Sequence, residues 1–194
     1  MQIENIIFDL GNVLIDVDFE VFYQKLGYVP EATDLVKAKH FITKFEAGQI
    51  AVDDFIEELN NHWNLQLSVD EFKLIWTNLF SANQQMIDLA EDLSQKYPVY
   101  ILSNTDEIHF PYIWNNFPEL HFFRDRLLLS YKLGTVKPNS QIYQIACQKY
   151  DLTPESTIFI DDKAENIEAA RKIGFNGIVY LNYKQTRQEL DKLL

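Results

Sequence analysis

Acidic side chains follow two short apolar stretches of the chain, and their type suits phosphoryl chemistry. Asp9 comes directly after residues 3–8, and the pair Asp161 and Asp162 comes directly after residues 157–160. A carboxylate can attack phosphorus to give an aspartyl-phosphate, and it is already ionised at pH 7. Carboxylates are also ligands of Mg²⁺, which takes one or two of them together with phosphate oxygens and water. Asp9 is therefore the candidate nucleophile and a candidate metal ligand, and the acidic pair supplies further ligands.

Four more residues complete a set that could hold a phosphate. Ser103 and Asn104 end another apolar stretch, and Lys137 precedes Pro138. Lys137 can neutralise a phosphate oxygen and Ser103 can donate a hydrogen bond to the transferring group, while the backbone carbonyl of Gly11 is a third candidate metal ligand. Each residue alone is weak support, because an acid after a strand often only caps the next helix and Lys137 could be a surface lysine. Taken together, we expect Gly11, Ser103, Asn104 and Lys137 to bind the phosphate or substrate.

The elements that must position these residues alternate between strand and helix. Short apolar stretches at 3–8, 99–102, 157–160 and 178–181 predict buried strands, and 127–130 is a weaker candidate. Amphipathic stretches at 85–96, 141–150 and 164–173 predict helices, the last of which should stop at Gly174. This order predicts an α/β fold, a Rossmann-like parallel sheet with helices on both faces. Ligands of such sheets bind beyond the carboxyl ends of the strands, where we expect the reactive residues, Lys137 included, to lie.

One segment interrupts the alternation. Residues 19–83 contain no convincing strand and predict several amphipathic helices rich in Phe, Trp and Leu. We therefore expect a Rossmann-like core made of residues 1–17 and 84–194, with an inserted α-helical cap at 18–83. Most of the cap's aromatic residues should form its own core, and the cap as a whole could close over a substrate.

Composition and charge restrict the partners. The 194 residues carry 17 Lys and Arg against 29 Asp and Glu, a net charge of −12. Nucleic acid and acidic membrane surfaces are therefore poor partners, and a phosphorylated substrate needs a local cationic spot, which Mg²⁺ and Lys137 would provide. The single cysteine, Cys147, lies in a predicted helix and reads as an inert thiol. The first residues carry no basic or long apolar stretch, which favours a cytoplasmic protein.

Four motifs, in this order, give the chain a resemblance to the haloacid-dehalogenase-like hydrolases. They are Phe8-Asp9-Leu10-Gly11-Asn12-Val13, Leu102-Ser103-Asn104-Thr105, Lys137-Pro138 and Phe159-Ile160-Asp161-Asp162. The resemblance implies a nucleophilic Asp9, phosphate binding by Ser103 and Lys137, and Mg²⁺ on the acidic pair. In similar proteins the second acid usually touches the metal, which favours Asp162 over Asp161 as the direct ligand.

The chain departs from that family's pattern at Gly11, where most of its phosphatases carry a second Asp as general acid and base. With this change the first two motifs resemble the bacterial α-D-glucose-1-phosphate phosphatase group. An anomeric oxygen leaves more readily than an ordinary alkoxide and needs less help from an acid, so the two features could go together. Water attack on the aspartyl-phosphate would still benefit from a base, and we leave the candidates unranked: Asp16, Asp18, Glu46 and His109.

Three more positions have a structural and a functional interpretation. His109 reads first as a surface or supporting histidine and second as a substrate contact. Asn166 could orient the metal carboxylates or simply belong to the first turn of a helix. Gly48 breaks a helical pattern, and the loop around it could reach the active site from above and select substrates.

These features predict a Mg²⁺-dependent phosphatase that hydrolyses a small phosphorylated metabolite, with a sugar 1-phosphate favoured. A 2-haloacid dehalogenase is the first alternative, since such enzymes also lack the second Asp, but they have no use for the Asp161 and Asp162 pair. A non-catalytic binding protein on the same scaffold is the second alternative, and Gly11 is its only support. The oligomeric state is left open.

Overall fold

A five-stranded parallel sheet forms the centre of the computed structural model, which describes residues 2–27 and 32–194. Its strands are β1 Asn5–Phe8, β4 Val99–Ser103, β5 Leu127–Leu129, β6 Thr157–Asp161 and β7 Asn176–Val179. They stand in the order β5-β4-β1-β6-β7. The central strands are buried on both faces, as is usual for parallel sheets covered by helices, and this explains their continuous apolar sequence.

Helices cover both faces of this sheet, which confirms the predicted α/β fold class. The helices of the core are α5 Gln84–Ser94, α6 His109–Asn116, α7 Ser130–Leu133, α8 Ser140–Tyr150, α9 Ala164–Ile173 and α10 Tyr183–Leu193. Ile6 and Phe8 of β1 point to one face, where they pack with side chains of α5, α6 and α10. Ile7 points to the other face and packs with side chains of α8 and α9.

Further helices follow the first strand and build a separate hydrophobic core. They are α1 Phe19–Leu26, α2 Ala32–Glu46, α3 Val52–Trp63 and α4 Val69–Thr77. Their buried aromatic side chains pack mainly on one another, for example the stacked rings of Phe45 and Phe55 with centroids 4.1 Å apart. We propose that these helices are the cap predicted for residues 18–83. Residues 28–31 of that predicted cap and residue 1 of the predicted core lie outside the described residues.

A short antiparallel ribbon joins this helical region to the core. Its strands are β2 Ile15–Val17 and β3 Phe80–Ala82, with Asp16 opposite Ser81. The expectation that residues 19–83 hold no strand was therefore wrong at β3. Three residues are too few to show a strand period, and the strand forms because β2 provides a partner.

The last strand of the sheet also differs from its prediction. Residues 178–181 were expected to form it, whereas β7 is Asn176–Val179 and pairs with Ile158–Asp161 of β6. Leu181 is apolar and was therefore included in the predicted strand, but its side chain is 71 % exposed and lies beyond the end of β7. The predicted stop at Gly174 is confirmed, since this glycine ends α9 with a φ of 113°. Across the described residues, no helix has both the length and the apolar character needed to cross a bilayer.

Candidate active site

Three neighbouring strands deliver their reactive residues to one edge of the sheet. Asp9 follows β1, Ser103 is the last residue of β4, and Asp161 is the last residue of β6. Because β4 and β6 flank β1 in parallel, these ends meet, and the three residues lie side by side as the sequence predicts. Asp9 and Ser103 are 7 % and 2 % exposed, and both line the same cavity.

Lys137 reaches the same place from a different direction. It was expected at a strand end, but it lies in the loop between α7 and α8, and that expectation was wrong. Its ammonium nitrogen is 2.7 Å from a carboxylate oxygen of Asp9, 2.7 Å from one of Asp161, and 2.9 Å from the carbonyl oxygen of Leu102. Burial alone would lower the pKa of Lys137, but the two carboxylates outweigh burial and raise it. The lysine is therefore a fixed positive charge between the two acids.

Asn104 holds the backbone of that loop. Its side-chain oxygen accepts a hydrogen bond from the amide of Lys137 at 2.8 Å, and its side-chain nitrogen donates to the carbonyl of Lys137 at 3.0 Å. Both polar ends of the carboxamide are engaged in this way. The structure thus gives Asn104 a positioning role, and its predicted contact with phosphate stays a prediction.

Asp9, Asp161 and Asp162 form an acidic cluster in which one carboxylate oxygen of each residue lies within 4.8 Å of those of the other two. Burial raises the pKa of Asp9 and Lys137 lowers it, while Asp161 and Asp162 raise it further, with a net upward shift. A cation beside the cluster would favour the ionised form of Asp9, which this residue needs in order to act as a nucleophile. The donors are all hard oxygens, a set that suits Mg²⁺ and not a soft metal.

The two acids of the pair differ in how many of their oxygens are engaged. Asp161 accepts hydrogen bonds from the Asn166 side chain at 2.8 and 3.0 Å and from the Lys163 amide at 2.8 Å, besides its contact with Lys137. Asp162 accepts one, at 3.3 Å, from the side chain of Asn12. Asp162 therefore has more of its oxygens free for a metal, in keeping with the expectation that it is the direct ligand. The orienting role expected of Asn166 agrees with its bonds to Asp161.

A cavity of about 160 Å³ opens above the acidic cluster. Gly11 lines its floor, where a Cβ atom would meet nothing closer than 3.5 Å, so the backbone leaves ordinary room for a side chain. The upper wall combines the inserted helices, the β2–β3 ribbon and α6 of the core. Apolar side chains that these elements contribute are Val17, Phe19, Ile42, Trp76, Phe80 and Ile113. The volume is below the range of roughly 300–1,000 Å³ typical of drug-sized ligands, which fits a small substrate.

An ion pair that sequence reasoning missed borders the cavity. Asp106 lies 2.9 Å from the Nδ1 atom of His109, and the Nε2 atom of that ring is 2.9 Å from the carbonyl oxygen of Trp76. Burial would raise the pKa of Asp106, but the contacts with His109 outweigh it and lower the pKa. His109 also stacks on the Trp76 ring, with centroids 4.7 Å apart. The histidine thus joins α6 of the core to α4, and both ring nitrogens are engaged.

One sequence signal could have pointed to Asp106. It accepts hydrogen bonds from the amides of Ile108 and His109, each at 2.8 Å, as an aspartate just ahead of a helix often does. The short stretch between β4 and α6 therefore had a capping residue in it. Its contact with the cavity depends on the packing of α4 and was not visible in the sequence.

Glu46 enters the cavity from the inserted helices. It is the last residue of α2, and it lines the cavity together with Asp9 and His109. Burial raises the pKa of its carboxyl to about 7, with Asp106 raising it as well and Lys163, His109 and Lys137 lowering it. Of the other two candidate bases, Asp18 caps α1 through the amide of Glu20 and Asp16 is exposed on β2, and neither lines the cavity.

Comparison with known proteins agrees with this geometry. A family model described as haloacid dehalogenase-like hydrolase matches residues 3–174. A D-ribitol-5-phosphate phosphatase from Bacteroides thetaiotaomicron is 32 % identical over 206 residues, with 100 % of this chain and 99 % of that protein covered.

Solved structures show the same likeness. A HAD family enzyme from Bacteroides thetaiotaomicron, in complex with magnesium and inorganic phosphate, has a TM-score of 0.81 at 26 % identity and covers 92 % of this chain and 94 % of its own. A predicted HAD-like family hydrolase from Porphyromonas gingivalis has a TM-score of 0.80 at 25 % identity, with 99 % of each chain covered.

Proposed function

The chain belongs to the haloacid dehalogenase-like hydrolase family, and on that premise we propose that it is a Mg²⁺-dependent phosphoric monoester hydrolase acting on a small phosphorylated sugar or polyol. The observation that carries the proposal is Lys137, buried between Asp9 and Asp161 at 2.7 Å from each. A fixed cation beside a cluster of carboxylates suits the transfer of a phosphoryl group, which needs positioning and neutralisation of charge. The similarity to a named phosphatase over the whole chain supports the same class.

The residues divide the work of phosphoryl transfer in a simple way. The Asp9 carboxylate attacks phosphorus, the bond to the leaving oxygen breaks, and an aspartyl-phosphate forms. Lys137 supplies a fixed positive charge beside the transferring group, Ser103 donates a hydrogen bond to one of its oxygens, and Asn104 keeps the Lys137 loop in place. Bound by Asp9, Asp162 and the Gly11 carbonyl, Mg²⁺ would offset the repulsion between the carboxylate and the phosphate dianion. Asp161 and Asn166 fix the geometry around that site.

Two kinds of phosphate ester remain in view for the substrate. The motif around Gly11 favours a sugar 1-phosphate, whose anomeric oxygen leaves readily. The relative from Bacteroides thetaiotaomicron is named a D-ribitol-5-phosphate phosphatase, and D-ribitol 5-phosphate is a primary alkyl ester. The cavity suits either class, since the residues proposed to hold phosphate lie below a small chamber lined by both polar and apolar side chains.

The other activities considered from the sequence fit the site less well. A 2-haloacid dehalogenase attacks carbon and needs no metal, yet Asp9, Asp161 and Asp162 form a cluster that suits a cation. A purely binding scaffold would not need a buried lysine held between two carboxylates, an arrangement that is costly to bury.

Phosphate release from a panel of phosphorylated metabolites tests the proposal. The panel contains α-D-glucose 1-phosphate and D-ribitol 5-phosphate, each with Mg²⁺ and with EDTA. We expect release by the wild type only with Mg²⁺, none by Asp9→Asn, and wild-type rates for the exposed control Asp92→Asn. A folded wild type that binds Mg²⁺ but releases phosphate from no substrate would contradict the proposal, and the best substrate decides between the two kinds of ester.

A further inference from the structure

A primary alkoxide is a poor leaving group, so its departure from phosphorus needs a proton donor. Gly11 has no side chain to supply one, although an added Cβ atom would fit there. Any donor must therefore come from another wall of the cavity. The other titratable side chains that line it are Asp9, Glu46, Asp106, His109, Lys137, Asp162 and Lys163.

Most of these groups already have a partner. Asp9 and Lys137 bind each other, Asp162 accepts a hydrogen bond from Asn12, and Asp106 and His109 form an ion pair. The second nitrogen of His109 is held by a backbone carbonyl, so the ring cannot exchange a proton without breaking one of its bonds.

Glu46 is different from the other acids of the cavity. Within residues 2–27 and 32–194, its carboxyl makes no hydrogen bond or ion pair, although the side chain is largely buried. The charged groups facing it are Asp106 and His109 from the α6 side, Lys163 beside the acidic pair, and Lys137. With a pKa of about 7, a carboxyl at this place is present in both protonation states at neutral pH, which suits a group that gives and retrieves a proton.

The backbone next to Glu46 is fixed against the core. Gly48 has a φ of 64°, and a Cβ atom there would overlap the backbone carbonyl oxygen of Tyr131 in α7. Only a glycine permits this close approach. Since Lys137 follows α7 within a few residues, the contact ties the turn directly after Glu46 to the part of the core that leads into the Lys137 loop.

We propose that Glu46 is the general acid and base of the hydrolysis, acting from the inserted helices in place of the side chain absent at Gly11. The assignment rests on the proposed phosphatase function. In the first step the Glu46 O–H donates its proton to the leaving oxygen as the P–O bond breaks and the Asp9 oxygen bonds to phosphorus. In the second step the Glu46 carboxylate takes a proton from water as the water oxygen bonds to phosphorus and the Asp9–phosphorus bond breaks. Phosphate leaves, and both side chains return to their starting states.

Leaving-group dependence provides the test. The value of kcat/KM is measured for wild type and Glu46→Gln with p-nitrophenyl phosphate, whose leaving group is stable as an anion, and with the best alkyl phosphate of the panel. We expect Glu46→Gln to lower kcat/KM by about 10²–10⁴-fold for the alkyl ester and by less than about tenfold for the nitrophenyl ester. The variant should also release one equivalent of nitrophenolate rapidly before a slow steady state, because dephosphorylation lacks its base.

The pH profile adds a second readout. For the alkyl ester, wild-type kcat/KM should fall as the pH rises above about 7, as Glu46 loses the proton that it must donate. This limb should vanish in Glu46→Gln and persist in Glu46→Asp. The exposed cap residue Glu58 provides the matched control, and Glu58→Gln should behave as wild type throughout. Mg²⁺-dependent stabilisation by beryllofluoride shows that each variant is folded with its phosphate site intact.

Each result bears on a different claim. Equal losses for both esters, or none for either, in a folded Glu46→Gln would overturn the assignment and leave the phosphatase function standing. An inactive wild type would overturn both.

Discussion

The ammonium nitrogen of Lys137 lies 2.7 Å from a carboxylate oxygen of Asp161, and both side chains are at most 1 % exposed. Lys137→Met keeps the length of the side chain but removes its charge, leaving Asp9 and Asp161 buried together without their cation. Because removing one member of a buried ion pair leaves the other charge buried and uncompensated, we expect the free energy of unfolding in EDTA to fall by about 3–5 kcal/mol. Urea denaturation measures this.

Lys149→Met provides the control, on an exposed lysine that donates to the Leu127 carbonyl. This change should lower the free energy of unfolding by less than about 1 kcal/mol, and equal losses in the two variants would refute the explanation.

Gly48→Ala should damage the enzyme more than a similar change at Gly27. Both glycines have a φ near 60°, so each alanine carries about 1 kcal/mol of backbone strain. Only at position 48 would the new methyl group overlap a core carbonyl, that of Tyr131, whereas the described residues leave the space beside Gly27 empty. We expect Gly48→Ala to lose both stability and kcat/KM, since it displaces Glu46, and Gly27→Ala to lose only a little stability. Urea denaturation and phosphate release distinguish the two, and equal activities would argue against a fixed Glu46.

Asn166 should matter for metal affinity although it is no metal ligand itself. Its side-chain nitrogen donates to both oxygens of Asp161. Asn166→Leu preserves the bulk but removes two of the hydrogen bonds that orient that carboxylate beside Asp162, so Mg²⁺ should bind about 10–100-fold more weakly. Isothermal titration calorimetry measures the change. Asn116→Leu, on the exposed end of α6, should leave the affinity unaltered, and a wild-type affinity in Asn166→Leu would show that Asp161 needs no such support.

Glu46 should make the protein less stable as the pH rises. Its pKa is about 7 in the folded protein against 4.5 for the free side chain, so the folded state binds more protons than the unfolded state between these values. The free energy of unfolding therefore decreases as the pH rises through this window. Glu46→Gln removes the effect, and its stability relative to wild type should increase by about 2 kcal/mol from pH 5.5 to pH 8.

Urea denaturation at the two pH values tests this, with the exposed Glu58→Gln as control. A constant difference between Glu46→Gln and wild type would mean that Glu46 titrates as a solvated carboxylate. A variant that gains stability while it loses activity is the pattern expected of a residue kept for function.

Residues that follow strands were the predictable part of this site. Asp9, Ser103 and Asp161 each end a short apolar run, and parallel strands bring such ends together whatever the rest of the chain does. The family and the α/β class were predictable for the same reason, because the motifs sit on the strands that define the sheet. The same logic misplaced Lys137, since a lysine in a loop can reach a strand end through its long side chain.

Residues whose role depends on packing between the inserted helices and the core could not be read from the sequence. Asp106 resembles an ordinary helix cap until its partner His109 is seen against Trp76 of α4. Glu46 had three rivals as a base, and burial together with the engaged ring of His109 separates it from them. Local patterns carry no information on which faces of separate elements meet.

The ribbon of β2 and β3 means that the chain leaves the sheet at Ile15–Val17 and returns beside its point of departure at Phe80–Ala82. The two ends of the intervening stretch are thus already paired with each other, and its length and sequence could change without moving Asp9 or Ser103, which are held by the central sheet. If Glu46 supplies the proton, this one interchangeable module determines both which ester fits and how poor a leaving group the enzyme tolerates. Specificity for new substrates could then evolve through changes in this one stretch of the chain, while the residues proposed to hold phosphate stay unchanged.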